Sequence, residues 1–214
     1  MTVKEIRIGW AAGTARLSRW IRVMDYARDK LGKRIPSRIN HVLIHFIFQD
    51  GPDIIIEALF DRGIQTSPFR HLELALREQR VTRLIEYVVP LPPAALAGIW
   101  TAAERYHGKG YDKRLLVLYL IWGRYFGKSK IWDFIFRLDN PDRFTCNEFA
   151  VGVLAGRIPE IPATAPKDFT PEGLFKAVMG MSSPDYVAKF LDPIAKARHA
   201  IQIGKPEHVP PTIA

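Results

Sequence analysis

Two apolar runs, residues 40–48 (NHVLIHFIF) and 54–60 (IIIEALF), stand either side of Gln49-Asp50-Gly51-Pro52-Asp53. β-branched and aromatic side chains suit a pleated strand, whereas Gly and Pro between two such runs favour a chain reversal. The pattern predicts a β-hairpin, and a hairpin this apolar needs other elements to cover it. Alternate strand residues share a face, so His41, Leu43 and His45 point the same way. Glu57 in the second strand then comes near both histidines. A carboxylate among Ile55, Ile56, Ala58 and Leu59 is costly to bury without a partner. One imidazole could supply that partner and be oriented and stabilised in its charged form. The plainer alternatives are a structural strand histidine with satisfied nitrogens and a solvated edge glutamate. Two histidines at this spacing fall short of a metal site, and neither a metal nor a cofactor is expected.

The surrounding chain reads as strands first and helices later. Residues 4–11 read as a strand, followed by Gly13 and a helix over 14–31. Gly32 to Ser37 form a breaker-rich loop containing Pro36, and residues 83–89 form a further strand ended by Pro90, Pro92 and Pro93. Pro93 suits the first turn of a helix running to about Tyr106, closed by Gly108-Lys109-Gly110. Residues 111–126 are expected to be helical, with an aromatic segment over 132–136. Asn140-Pro141-Asp142 marks a turn, residues 146–155 a helix closed by Gly156, and 158–166 a proline-punctuated loop. Thr170-Pro171 caps another helix, and the tail from Lys205 carries three prolines. The order predicts an α+β fold. The length of 214 residues suits one domain with an elaborated tail, divided here into 1–175 and a C-terminal extension, 176–214.

Cys146 is the only cysteine, which excludes an internal disulfide and any multi-cysteine metal site. It opens the helical pattern that follows the 140–145 loop, so it falls in a first helical turn, where the helix dipole favours a thiolate. Such a thiol is an inert buried hydrophobe, an intermolecular crosslink or a nucleophile. A nucleophile needs a base to accept its proton, and the hairpin histidines are the candidates.

The formal charge is +9, and residues 1–40 hold ten Lys/Arg against three Asp/Glu. In the helix after Gly13, Leu17, Trp20, Ile21, Met24 and Leu31 fall on one stripe, while Arg16, Arg19, Arg22 and Lys30 lie largely off it. This is either a solvated basic face on a core-packed helix or a docking face for an anionic membrane or wall polymer. No zinc-finger, Gly-rich or aromatic pattern accompanies the charge, so there is no specific nucleic-acid signal. The first ten residues lack the apolar core of a secretory signal, and the longest apolar run, 115–122, is too short to span a bilayer. A cytoplasmic protein is the default expectation, with phage association or another export route as the alternative.

Taken together, these residues resemble the circularly permuted branch of the NlpC-type papain-like cysteine peptidase/amidase superfamily. Residues 37–48 (SRINHVLIHFIF) are similar to the family's Ser-His-Val strand, which selects His41 over His45. Residues 55–59 (IIEAL) resemble the strand bearing the acidic third residue, which falls on Glu57. Residues 108–116 (GKGYDKRLL) are similar to the Gly-Tyr-Asp segment before the nucleophile, and 144–150 (FTCNEFA) to the nucleophile helix. Asn147 and Phe149 stand where the family carries serine and leucine. Ile8-Gly9-Trp10 together with residues 17–22, and residues 170–174, are similar to the family's start and end.

The resemblance implies a permuted papain-like fold with a small antiparallel sheet against helices. It implies a thiol hydrolase that works through an acyl-enzyme, with Cys146 as nucleophile, His41 as base then acid, and Glu57 orienting His41. Tyr111 and His45 are further candidates around that site. A peptidoglycan-type peptide is the first substrate expectation. The alternatives are a lipid-directed acyltransferase or esterase, as in lecithin–retinol acyltransferase relatives, and a catalytically silent binding module.

Overall fold

The computed structural model describes residues 1–24, 26–28, 34–114, 142–163 and 170–192. It is an α+β structure built on a five-stranded antiparallel sheet. Strand β1 (Val3–Gly13) leads into helix α1 (Arg16–Met24). Two short strands, β2 (Tyr26–Arg28) and β3 (Arg34–Pro36), pair with each other, and then comes the hairpin β4 (His41–Phe48) and β5 (Ile54–Leu59). Strand β6 (Gly63–Pro68), helix α2 (Phe69–Arg77), strand β7 (Val81–Val88) and helix α3 (Pro93–Glu104) follow. Two-residue strands β8 (Gly110–Tyr111) and β9 (Arg143–Phe144) precede helix α4 (Cys146–Leu154). Helices α5 (Pro171–Met179) and α6 (Ser183–Tyr186) and a π-helical turn, Val187–Leu191, complete the described chain.

The sheet order is β6-β5-β4-β1-β7. The predicted hairpin forms with His45 opposite Ile55 and Phe46 opposite Ile54. Strands β1 and β4 lie inside the sheet with both faces covered, which is why β4 reads as an almost unbroken apolar run. One face carries Ile6, Ile8, Trp10, Val42, Ile44, Phe46 and Ile56, all fully buried. Helices α3, α4 and α5 close this main core with Ile99, Phe149 and Phe175, and Trp10 meets Phe175 edge-to-face at 5.1 Å. On the opposite face Leu43, Ile55 and Leu72 form a smaller cluster beneath α2. The sheet therefore separates a thick apolar layer from a thinner, more polar one.

Several sequence expectations change. The helix expected over 14–31 ends at Met24, because the chain turns there into the β2–β3 pair. Tyr111 belongs to a strand rather than to a helix from 111 to 126. Strand β6 and helix α2 were not foreseen. The 175/176 boundary falls inside α5, and Val178 and Val187 sit in the main core. The helix expected over 115–126, the apolar run 115–122, the aromatic segment 132–136, Lys30, Leu31 and residues 193–214 lie outside the described residues.

Candidate active site

His41 is the first residue of β4, and its position is fixed from both sides. Asn40, itself buried, donates its backbone N–H to Ala11 O at 3.0 Å and accepts Gly13 N–H on its side-chain oxygen at 2.9 Å. Upstream, the Ser37 hydroxyl donates to the buried Glu172 carboxylate at 2.7 Å, tying this segment to α5. Sequence reading did not single out Asn40. Its signal was weak: an amide before an apolar run marks many turns.

The β4–β5 register places Glu57 opposite Leu43 and diagonal to both His41 and His45, so register alone does not choose between the histidines. The side chains do. Glu57 Oε2 lies 2.7 Å from His41 Nε2. His45 is drawn to β7, with Nδ1 2.8 Å from Glu86 and its ring stacked on Phe69 of α2 at 4.0 Å. Glu86 also takes a hydrogen bond from Arg7 at 3.2 Å. Burial works against ionisation of Glu86, but His45 and Arg7 together hold its carboxyl below the usual range. His45 thus belongs to a separate buried polar group and does not share the Glu57 contact.

Cys146 is brought to His41 by the start of α4. Thr145 is the N-cap, and Thr145 and Glu148 form a capping box: the Thr145 hydroxyl accepts from Glu148 N–H, and Glu148 Oε2 accepts the Thr145 N–H at 2.7 Å. Cys146 is the first residue of the helix, so its N–H belongs to the first turn, where donors lack intrahelical acceptors. The Thr-x-x-Glu spacing was visible in the sequence and was overlooked. The thiol is 4% exposed, with its side chain 3.9 Å from the Asn147 amide oxygen. It is also one of the groups that raise the His41 pKa.

The electrostatics of His41 follow from these contacts. Burial disfavours the imidazolium, but hydrogen bonds to Cys146 and Glu57 outweigh it, lifting the pKa from 6.5 to about 10. A ring held between a thiol and a carboxylate is therefore protonated at neutral pH.

Tyr111 reaches the same place through backbone pairing. β8 and β9 are parallel, with Tyr111 beside Phe144, and Asp112 N–H donates to Phe144 O at 3.2 Å. On the other side Ile64 N–H donates to Lys109 O at 2.8 Å. That close approach requires glycine at position 63, where φ is +75° and an added Cβ would meet Lys109 O at 2.3 Å. Burial, then Cys146, Glu148 and Asp112, keep the Tyr111 phenol well above its usual pKa, so it remains a hydrogen-bond donor.

His41, Glu57 and Tyr111 line a cleft of about 480 Å³ between α1, α2 and the thinner-layer face of the sheet. Leu17 and Ile21 of α1, Leu43 and Leu72 give it an apolar wall, and Gln65, Ser67 and His71 supply polar groups. Among the described residues no group of three or more His, Cys, Asp or Glu is arranged to hold a metal ion, and no helix is long and apolar enough to cross a membrane. Comparison with family models, with curated proteins and with solved structures gave no match.

Proposed function

We propose that this chain is a cysteine hydrolase of permuted papain-like type, cleaving an amide through an acyl-enzyme. The observation that carries the reading is His41 held between the Cys146 thiol at a helix start and the Glu57 carboxylate at 2.7 Å, beside an open cleft. Three residue types from a strand, its hairpin partner and a distant helix meet with complementary chemistry. In the proposed cycle Cys146 Sγ attacks the carbonyl carbon as thiolate. The tetrahedral oxyanion takes hydrogen bonds from the Cys146 backbone N–H and the Tyr111 hydroxyl. The C–N bond breaks as His41 gives its proton to the leaving amine, leaving a thioester. His41 then takes a proton from water, whose oxygen attacks the thioester; the C–S bond breaks, releasing the acid and returning Cys146 as the thiolate beside a protonated His41.

A wall-type peptide is the first substrate assignment. A second reading, hydrolysis or transfer of a lipid acyl group, draws on the apolar wall formed by Leu17, Ile21, Leu43 and Leu72. Parallel turnover assays on peptide amides and on acyl esters distinguish them. The proposal expects release from one class, lost in Cys146→Ser and in His41→Ala. Equal turnover in both variants would overturn it.

A further inference from the structure

Three arginines from separate parts of the chain gather where β1 ends. The Arg22 carbonyl, in the last turns of α1, accepts Ser37 N–H at 3.0 Å, which sets Arg38 beside α1. Arg38 N–H in turn donates to the Ser183 hydroxyl at 3.0 Å. Two residues on, Asn40 joins Ala11 of β1, and on the other side of β1 Ala12 pairs with Arg83 of β7. Among the described residues none of Arg22, Arg38 and Arg83 makes an ion pair. Arg22 and Arg83 are only partly exposed.

Their charges act on one another. Burial lowers the Arg22 pKa first, and Arg19 and Arg38 lower it further. Arg83 is lowered by burial, then by Arg38 and to a lesser degree by Arg22, while Asp192 raises it. The buried Glu172 nearby accepts hydrogen bonds from Ser37 and from the Ser183 backbone, each at 2.7 Å. Lysines so placed could shed a proton, but guanidiniums stay charged in proteins. Like charges gathered at such positions, two of them partly buried, are relieved by an anion, and the planar fork of arginine matches phosphate oxygens in pairs.

We infer that Arg22, Arg38 and Arg83 form a binding site for a phosphate-bearing anion where α1, the segment before β4 and β7 meet. The site differs from the basic face of Arg16, Arg19 and Arg22 expected from helical spacing: it uses one arginine of that face and two from elsewhere. It stands independently of the hydrolase reading.

Thermal unfolding of the full chain in inorganic pyrophosphate, against chloride at matched ionic strength, tests it. A ligand bound only by the folded state raises the midpoint. The expected result is a pyrophosphate-specific rise in the parent and in Arg77→Gln, a surface arginine of α2, and none in Arg38→Gln or Arg83→Gln. Arg38 is exposed, so its variant is expected to keep the fold, and Arg83→Gln without anion is expected to unfold no earlier than the parent, since repulsion is relieved. No specific rise in the parent, or the same rise in all variants, overturns the site. Co-sedimentation with phosphatidylglycerol vesicles, against phosphatidylcholine, identifies the source of the phosphate. Loss of sedimentation in both variants and competition by pyrophosphate assign the site to a lipid headgroup. A pyrophosphate-specific rise without sedimentation assigns it to a soluble phosphorylated ligand.

Discussion

At the scale of residues, the account turns on which histidine serves the thiol. His41 and His45 are equivalent in strand pattern, and both lie diagonal to Glu57 in register. What separates them is their remaining surroundings: Glu86 and Phe69 claim His45, while Cys146 and Glu57 claim His41. Replacing His41 with Ala is expected to slow acylation about 10²–10⁴-fold, the usual worth of a positioned acid–base group. His45→Ala is expected to leave a measurable rate while lowering stability, and Glu57→Gln to be milder than loss of His41. A larger catalytic loss in His45→Ala than in His41→Ala contradicts the assignment. The protonation of His41 can be read directly. Its pKa is raised from 6.5 to about 10, so the folded state holds this proton more tightly than the unfolded chain does. Its contribution to stability is full below the unfolded value and is lost as pH rises through about 10. The His41 ring resonances should therefore show no titration near pH 6.5 and a midpoint close to 10. A midpoint near 6.5 would contradict the ion pair.

At the scale of elements, α4 owes its start to Thr145 and Glu148 rather than to its own propensity. The capping box fixes where the helix begins, and so makes Cys146 its first residue. Thr145→Ala is expected to cost about 1 kcal/mol of stability, within the ~0.5–2 kcal/mol range of such caps. It should also slow Cys146 alkylation by loosening the first turn, with Thr145→Ser restoring both. Urea unfolding and iodoacetamide labelling check the two effects, and an unchanged labelling rate would detach the cap from the site. The elements legible in the sequence were those whose own pattern decides their state: the β4–β5 hairpin, the Pro93 and Pro171 helix starts, and α4. Strand β6 was not among them, because GIQTSP is polar and becomes a strand only by pairing with β5. The end of α1 was misjudged because its apolar spacing continues past Met24, while β2–β3 pairing takes the chain elsewhere.

For the whole molecule, the five-stranded sheet divides the labour. The face with Phe46, Phe149 and Phe175 carries the thick core on which α3, α4 and α5 pack. The thinner face leaves room for a cleft of about 480 Å³ that reaches His41, Glu57 and Tyr111. Sequence could single out Cys146 as a lone thiol, Glu57 as a carboxylate among isoleucines and the strand imidazoles His41 and His45, between which only the family resemblance chose His41. It could not show that β8 and β9 deliver Tyr111, or that Asn40 and Ser37 anchor the entry to β4, since those contacts join residues far apart in the chain. The central claim is that Cys146 is a nucleophile activated by His41. Intact-protein mass measurement after incubation with peptide and acyl chloromethyl ketones tests it most directly. The account predicts one adduct per chain, mapped to Cys146, formed rapidly at neutral pH and strongly slowed in a folded His41→Ala variant. Absence of labelling in the native parent, or labelling at the same rate without His41, would contradict it.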